Sequence, residues 1–147
     1  METLSNLGDG FLIAMTWQNL FLALMGCFLG TIMGALPGLG PSNGVAILIP
    51  LAFTLGLGAT PSLILLTSVY YGAMYGGRIS SILLNIPGTP AAVATAFDGY
   101  PLAKLGEAGK VIGISTVVSV IGGYFGIAIL AIAAPSVSSL ALQFAPR

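Results

Sequence analysis

Long runs of apolar residues alternate with short glycine–proline breaks along this chain. The first run, Phe11 to Leu36, exceeds the roughly 20 residues that a helix needs to cross a bilayer. Trp17, Gln18 and Asn19 stand near its start and suit a headgroup-level position. Glycine then recurs at every fourth position: Gly26, Gly30, Gly34 and Gly38. That spacing lines one helix face, where a second helix can come close. Close packing alone accounts for such a stripe.

The run stops at Pro37-Gly38-Leu39-Gly40-Pro41-Ser42-Asn43-Gly44. Proline disfavours helix in the residue before it, and glycine releases the backbone, so a continuous helix is not expected here. The flanks stay apolar, which allows the break to lie at membrane depth, buried in protein or lining a watery cavity. Val45 to Leu57 and Ser62 to Tyr75 are each too short for an easy crossing, with Gly56, Gly58 and Pro61 between them. Together they predict a short broken pair over 45–75, either a re-entrant hairpin or two short tilted crossings. Tyr70, Tyr71 and Tyr75 suggest that its second half ends near an interface.

Gly76-Gly77-Arg78 closes that unit, and Ile79 to Ile86 is too short to span. A second break follows at Pro87-Gly88-Thr89-Pro90, then the small, helix-compatible run Ala91 to Phe97. An aqueous loop is expected over 98–110, where Asp98, Lys104, Glu107 and Lys110 collect. The two lysines place it on the cytoplasmic side by the positive-inside bias. The last span is expected over 111–134, with Gly122 and Gly126 as another close-packing pair and Pro135 as its end. The pattern predicts an all-α, polytopic transmembrane protein with broken or re-entrant helices, in one membrane domain over 1–147.

Composition strengthens the membrane reading. Charged residues make up 5% of the chain, where a soluble domain carries about 25%. No Asp, Glu, Lys or Arg occurs between Gly10 and Gly77, or between Val111 and Pro146. No basic residue precedes the first apolar run, so it does not read as a secretory signal. Zero net charge argues against nucleic acid as a partner. With no histidine, Ser-His-Asp and Cys-His catalysis are ruled out, as is the commonest metal ligand. Cys27 is the single cysteine; no intrachain disulfide can form, and its apolar run suggests a small buried residue.

The two breaks share their chemistry. LPGLGPSNG and IPGTPAAVA each read as an apolar residue, Pro-Gly, one or two further residues, a second proline and a new helix. Proline at the first helical position loses no hydrogen bond. Thr89 is placed to cap the helix that starts at Pro90, and Ser42 or Asn43 to cap the helix leading into Val45. A helix that starts inside the membrane presents unpaired N–H groups and a partial positive charge, an anion site made without formal charge. Freed carbonyls nearby suit a cation. The candidate substrate and ion site is therefore Pro37, Gly38, Gly40, Ser42, Asn43 and Gly44, with Pro87, Gly88, Thr89 and Pro90; the bland reading is two surface loops. Arg78 either attracts an anion or snorkels to a headgroup, and Asp98 fits a solvated turn before Gly99.

GALPGLGPSNGVAILIPLAF (Gly34–Phe53) and YYGAMYGGRISSILLNIPGTPAAVATAFDGYPLAKLGEAGK (Tyr70–Lys110) resemble the large membrane subunit, TctA, of the tripartite tricarboxylate transporters. The resemblance runs from about Trp17 onward. It implies a multi-pass protein of the bacterial inner membrane that works with a small membrane subunit and a periplasmic solute-binding protein. It implies uptake of tricarboxylates or related organic acids coupled to Na⁺ or H⁺, with no other cofactor. Such subunits are several times longer and carry a second related half. By that measure this chain matches the N-terminal part only, one half of an inverted-repeat transporter, and reads as a fragment, a truncated product or a deliberately shortened chain. A membrane enzyme is disfavoured, because Glu2, Asp9, Asp98 and Glu107 are scattered and form no cluster. A non-transporting fragment, or a small channel-like or packing protein, is the alternative; it explains the glycine stripe but not the paired breaks.

Overall fold

A computed structural model describes the backbone of residues 2–143 and the side chains of residues 8–134 and Val137. The described residues form helices and connections, with no strand among them. In order these are α1 (Glu2–Ala14), α2 (Trp17–Ala35), α3 (Pro41–Thr54), α4 (Ala59–Leu84), α5 (Pro90–Leu102), a π-helical turn (Ala103–Glu107) and α6 (Ala108–Gln143). Two stretches are long and apolar enough to cross a membrane, Trp17–Ala35 and one within Pro90–Ala134. The chain divides into two compact units, Met1–Val111 and Ile112–Arg147.

The centre of the first unit is the contact between α2 and α4. A Cβ built on Gly26 would stand 2.7 Å from the Leu65 carbonyl oxygen. On Gly30 and Gly34 it would overlap the carbonyls of Val69 and Ala73. Gly72 and Gly76 of α4 answer in kind, facing the carbonyls of Cys27 and Thr31. Each contact advances by four residues on both helices together, so α2 and α4 run parallel. Only glycine permits this approach, which gains dispersion along the whole face and brings Cα–H groups against carbonyl oxygens.

Parallel neighbours require a return, and α3 supplies it. Gly44, Leu48 and Ala52 are among its buried positions. Leu48 and Ala52 join Leu65 and Val69 in the core, with Leu22, Met33, Leu57 and Leu66 packed against it. The turn back into α4 is a Schellman cap. Gly56 has φ 62°, its N–H donates to Phe53 O at 3.0 Å, and the Leu57 N–H donates to Ala52 O at 3.4 Å.

The helix bounds correct several expectations. The run 11–36 is not one helix. Thr16 leaves helical geometry (φ −63°, ψ 145°), and two side chains take the Ile13 carbonyl that a continuing helix would use. The Thr16 hydroxyl donates to it at 2.9 Å and Asn19 Nδ2 at 2.7 Å. Nor does Gly76-Gly77-Arg78 end a unit, because α4 passes straight through it. Two glycines in a helix cost about 1 kcal/mol each, but here both face neighbouring backbone, and that packing offsets the cost. Tyr70 and Tyr71 accordingly lie in mid-helix, their rings edge-to-face at 6.3 Å.

The charged stretch 98–110 is helical rather than a loop. Asp98 lies in α5, and the backbone kinks only at Gly106, with φ 87°. Its charges remain exposed: Lys104 stands 4.6 Å over the Tyr100 ring and Lys110 pairs with Glu107 at 3.4 Å. Helix α6 continues past Pro135 to Gln143; membrane helices tolerate proline where freed backbone groups find other partners. A Cβ built on Gly122 or Gly126 would meet nothing within 4 Å among the described residues. Cys27 is exposed rather than buried; its carbonyl, not its thiol, faces α4.

Gly34→Ala should lower thermal stability in detergent by about 1–3 kcal/mol, because the new methyl meets backbone that cannot swing away. Gly113→Ala, in open space on α6, should leave stability equal or slightly raised, through better helix propensity. Equal melting of the two variants would refute the backbone contact.

Candidate functional site: two helix breaks that meet

The first break is a tight turn. The Leu39 N–H donates to Leu36 O at 3.2 Å across Pro37 and Gly38, and Gly38 has φ 91°. Proline second and a positive-φ glycine third is the type II pattern. Helix α3 then opens with Gly40 as N-cap, in extended geometry, and Pro41 at its first turn. The first helical bond runs from the Gly44 N–H to Gly40 O at 3.0 Å. Ser42 and Asn43 therefore lie within the first turn and do not cap it, contrary to the expectation; both are exposed. Glycine has no side chain to offer, and α3 has no side-chain cap.

The second break is built differently. Helix α4 ends at Asn85 in the left-handed region (φ 57°), with the cap N–H on Ser80 O. Thr89 is extended (φ −143°, ψ 157°) and caps α5 as expected, its hydroxyl oxygen accepting from the Ala92 N–H at 3.2 Å. Pro90 occupies the first turn. Gly88 does not need positive φ here, and a side chain at this position would meet the backbone of Gly34 and Gly77 at ordinary contact distance.

The two breaks lie beside each other. A Cβ on Gly40 would stand 3.4 Å from Gly88 O. One on Gly88 would stand 3.5 Å from both Gly34 O and Gly77 Cα, and one on Gly77 would lie 3.7 Å from Gly34 O. The end of α2, the start of α3, the body of α4 and the start of α5 thus converge on four glycines. From this junction α3 descends along α4. Helix α5 continues in the sense of α4, since its contact moves from Gly77 at Gly88 to Ile82 at Gly99. The two helices therefore leave from one level in opposite senses, with their positive ends facing that level.

Of the predicted residues, Gly40 and Gly88 are neighbours across the two breaks: a Cβ on Gly40 would touch the Gly88 carbonyl oxygen. Pro41 and Gly44 are buried, whereas Pro37, Gly38, Pro87 and Pro90 are exposed. Arg78 follows Gly77, is half-buried and has an interaction of its own. Sequence reasoning missed Gly77 and the buried Ser80 and Ser81 beside it. Both serine hydroxyls donate to the Gly77 carbonyl, at 3.0 and 2.7 Å. Ser-Ser inside an apolar run was the available signal. Among the described residues, no three His, Cys, Asp or Glu come together as metal ligands.

The described residues are helical, with two apolar stretches of membrane length and helices broken by proline, an arrangement that fits a membrane protein. The sequence model of the Tripartite tricarboxylate transporter TctA family matches residues 20–147, and the chain belongs to that family. The family is one of transporter components working in tripartite systems. The chain is also 42% identical, over 144 residues, to an uncharacterized 52.8 kDa protein of the TAR-I ttuC' 3' region of Agrobacterium vitis. That match covers 98% of this chain and 28% of the relative, so the chain spans less than a third of its length. No solved structure matches.

Gly38→Ala should cost about 1–2 kcal/mol of thermal stability by forcing a Cβ into the left-handed region, and Gly38→Asn should cost less. Identical losses from both would show that the turn does not hold positive φ. Separately, Thr89→Ala should cost about 1 kcal/mol through the lost cap. Hydrogen exchange at Ala92 should report it, and unchanged exchange there would contradict the bond.

Proposed function

We propose that this chain forms part of the membrane-spanning subunit of a cation-coupled secondary transporter for tricarboxylates or related organic acids. The junction of its two breaks holds a substrate carboxylate and the coupling cation, Na⁺ or H⁺. The observation that carries this reading is the convergence of two helix starts on one point, at Gly40 and Gly88. Two positive helix ends at one level repel each other, and an anion between them removes that cost. The carbonyl end of α2, at Gly34, reaches the same point and offers oxygen to a cation. The first break is the better donor of the two. Its helix lacks a side-chain cap, whereas Thr89 already occupies the Ala92 N–H at the second.

The partners on this reading are a small membrane subunit and a periplasmic solute-binding protein, and the location is the bacterial inner membrane, crossed several times. Gly34 lies about 25 Å along α2 from Trp17 at 1.5 Å per residue. With Trp17 at headgroup level, the junction lies beyond the middle of a core about 30 Å thick. The alternative of a non-transporting fragment or packing protein accounts for the α2–α4 contact but leaves the meeting of the breaks without a role.

Uptake of a labelled organic acid into proteoliposomes, with and without a Na⁺ gradient, tests the proposal in the transporter completed by its remaining segments and partners. Asn43→Ala and Ser42→Ala should each weaken uptake by about 1–3 kcal/mol, a hydrogen bond's worth. Ser62→Ala, whose hydroxyl serves the Leu57 carbonyl at 3.3 Å, should change little. Equal kinetics in all three at matched expression would sink the site. Orientation is tested by cysteine labelling at Ala103 in a Cys27-free background. An impermeant reagent should fail to reach it from outside intact spheroplasts, and efficient labelling there would reverse the topology.

A further inference from the structure

Two hydroxyls on α4, those of Ser80 and Ser81, are almost wholly buried, at 2% and 0% exposure. At 100° per residue they stand one turn beyond Gly77, one to either side of it. Helix side chains lean toward the N-terminus, so both oxygens return to the level of Gly77. There both give their protons to its carbonyl. A hydroxyl that has given its proton away keeps only lone pairs. The pair therefore faces its surroundings as acceptors, with no donor left for an anion. The Gly34 carbonyl oxygen lies at the same place, 3.7 Å from a Cβ built on Gly77 and 3.5 Å from one on Gly88. It belongs to the last turn of α2, where the helix itself supplies no N–H: Pro37 has none, and Gly38 lies past the helix end in the turn. Three oxygens with lone pairs thus gather about Gly77.

We propose that Ser80 and Ser81, with the Gly34 carbonyl, form the cation subsite of the junction, and that it takes Na⁺ stripped of its water rather than a proton. The inference rests on the transport reading above and assigns its cation. Neutral oxygens with fixed lone pairs suit a hard cation. A transported proton needs a group that titrates near neutral pH, and no Asp, Glu or His occurs between Gly10 and Phe97. Asp98, the next acid, is exposed on α5. Arg78 follows Gly77 but lies 100° further round the helix and has an interaction of its own. Bonding back to the helix does not by itself call for burial, since Thr67 does so from an exposed position, to Leu63 O at 2.6 Å. Alanine would pack as well at positions 80 and 81 and would favour the helix more. A ligand for the two oxygens gives the serines their reason.

The test titrates Na⁺ alone, with choline holding the ionic strength constant, against the thermal stability in detergent of the transporter completed by its remaining segments and partners. Na⁺ should raise the melting temperature of the unaltered protein. Ser80→Ala and Ser81→Ala should each raise the Na⁺ concentration of half-maximal effect roughly tenfold or more. Ser81→Cys keeps the shape and a weak donor but puts soft sulfur in place of oxygen, and should do the same. Thr67→Ala removes a similar bond elsewhere on α4 and should leave the Na⁺ response unchanged. No response to Na⁺, or an equal response in all four variants, would overturn the subsite, as would uptake driven by a pH gradient without Na⁺. A serine-dependent Na⁺ response without uptake of any organic acid would support the subsite and overturn the transport reading instead.

Discussion

The backbone contact between α2 and α4 is the constraint on which the rest of the first unit depends. Lipid chains are as apolar as leucine, so burial alone does not hold two helices together in a bilayer. Contact area and polar complementarity must do it. Glycines placed every fourth residue on both helices let carbonyls of each sit against Cα atoms of the other. Because the contact is parallel, α3 must bring the chain back. Because α2 ends level with the later part of α4, the first break falls beside Gly77. The position of the junction follows from the register of the glycines.

The two Pro-Gly breaks look alike in sequence and solve different problems. At the first, Gly38 takes positive φ so that the chain can reverse within four residues. At the second, where α5 keeps the sense of α4, Asn85 in the left-handed region ends α4, and Gly88 lies beside Gly34 and Gly77. Their helix starts differ in the same way. A glycine N-cap leaves the first turn of α3 without a side-chain acceptor, while Thr89 satisfies one donor of α5. Similar motifs thus produce one uncapped and one capped helix start at the same level.

Much of this is legible in the amino-acid sequence itself. The four-residue glycine period, the membrane-length runs, the position of both breaks and the Thr89 cap all rest on local rules, and local rules survive folding. What failed needed knowledge of a partner. Gly76-Gly77 reads as a helix end until α2 is placed against it, because the contacts that offset its poor propensity come from about forty residues away. The corner at Thr16 was hidden by apolar neighbours on both sides; its cause is a pair of side-chain donors on one carbonyl. Cys27 shows the converse error. Its apolar setting suggested burial, but in a membrane chain an apolar setting is also what the lipid side requires. The chemistry of the candidate site was readable as a list of residues, whereas the meeting of Gly40 with Gly88 was not.

On the proposed reading, the lack of formal charge at the junction has a physical reason. A lysine or arginine held there would have to be desolvated in every state of the cycle, at several kcal/mol when no anion was present. Helix ends carry about half an elementary charge each, are already part of the fold, and have no side chain to reorganise. Two of them opposed give enough field to favour a carboxylate over water without holding it permanently. The opposition is itself a small strain in the empty protein, and a bound anion relieves it. Occupancy of the site and stability of the junction are then coupled through the same four glycines: whatever moves α3 and α5 apart along α4 weakens the anion site and the backbone packing together.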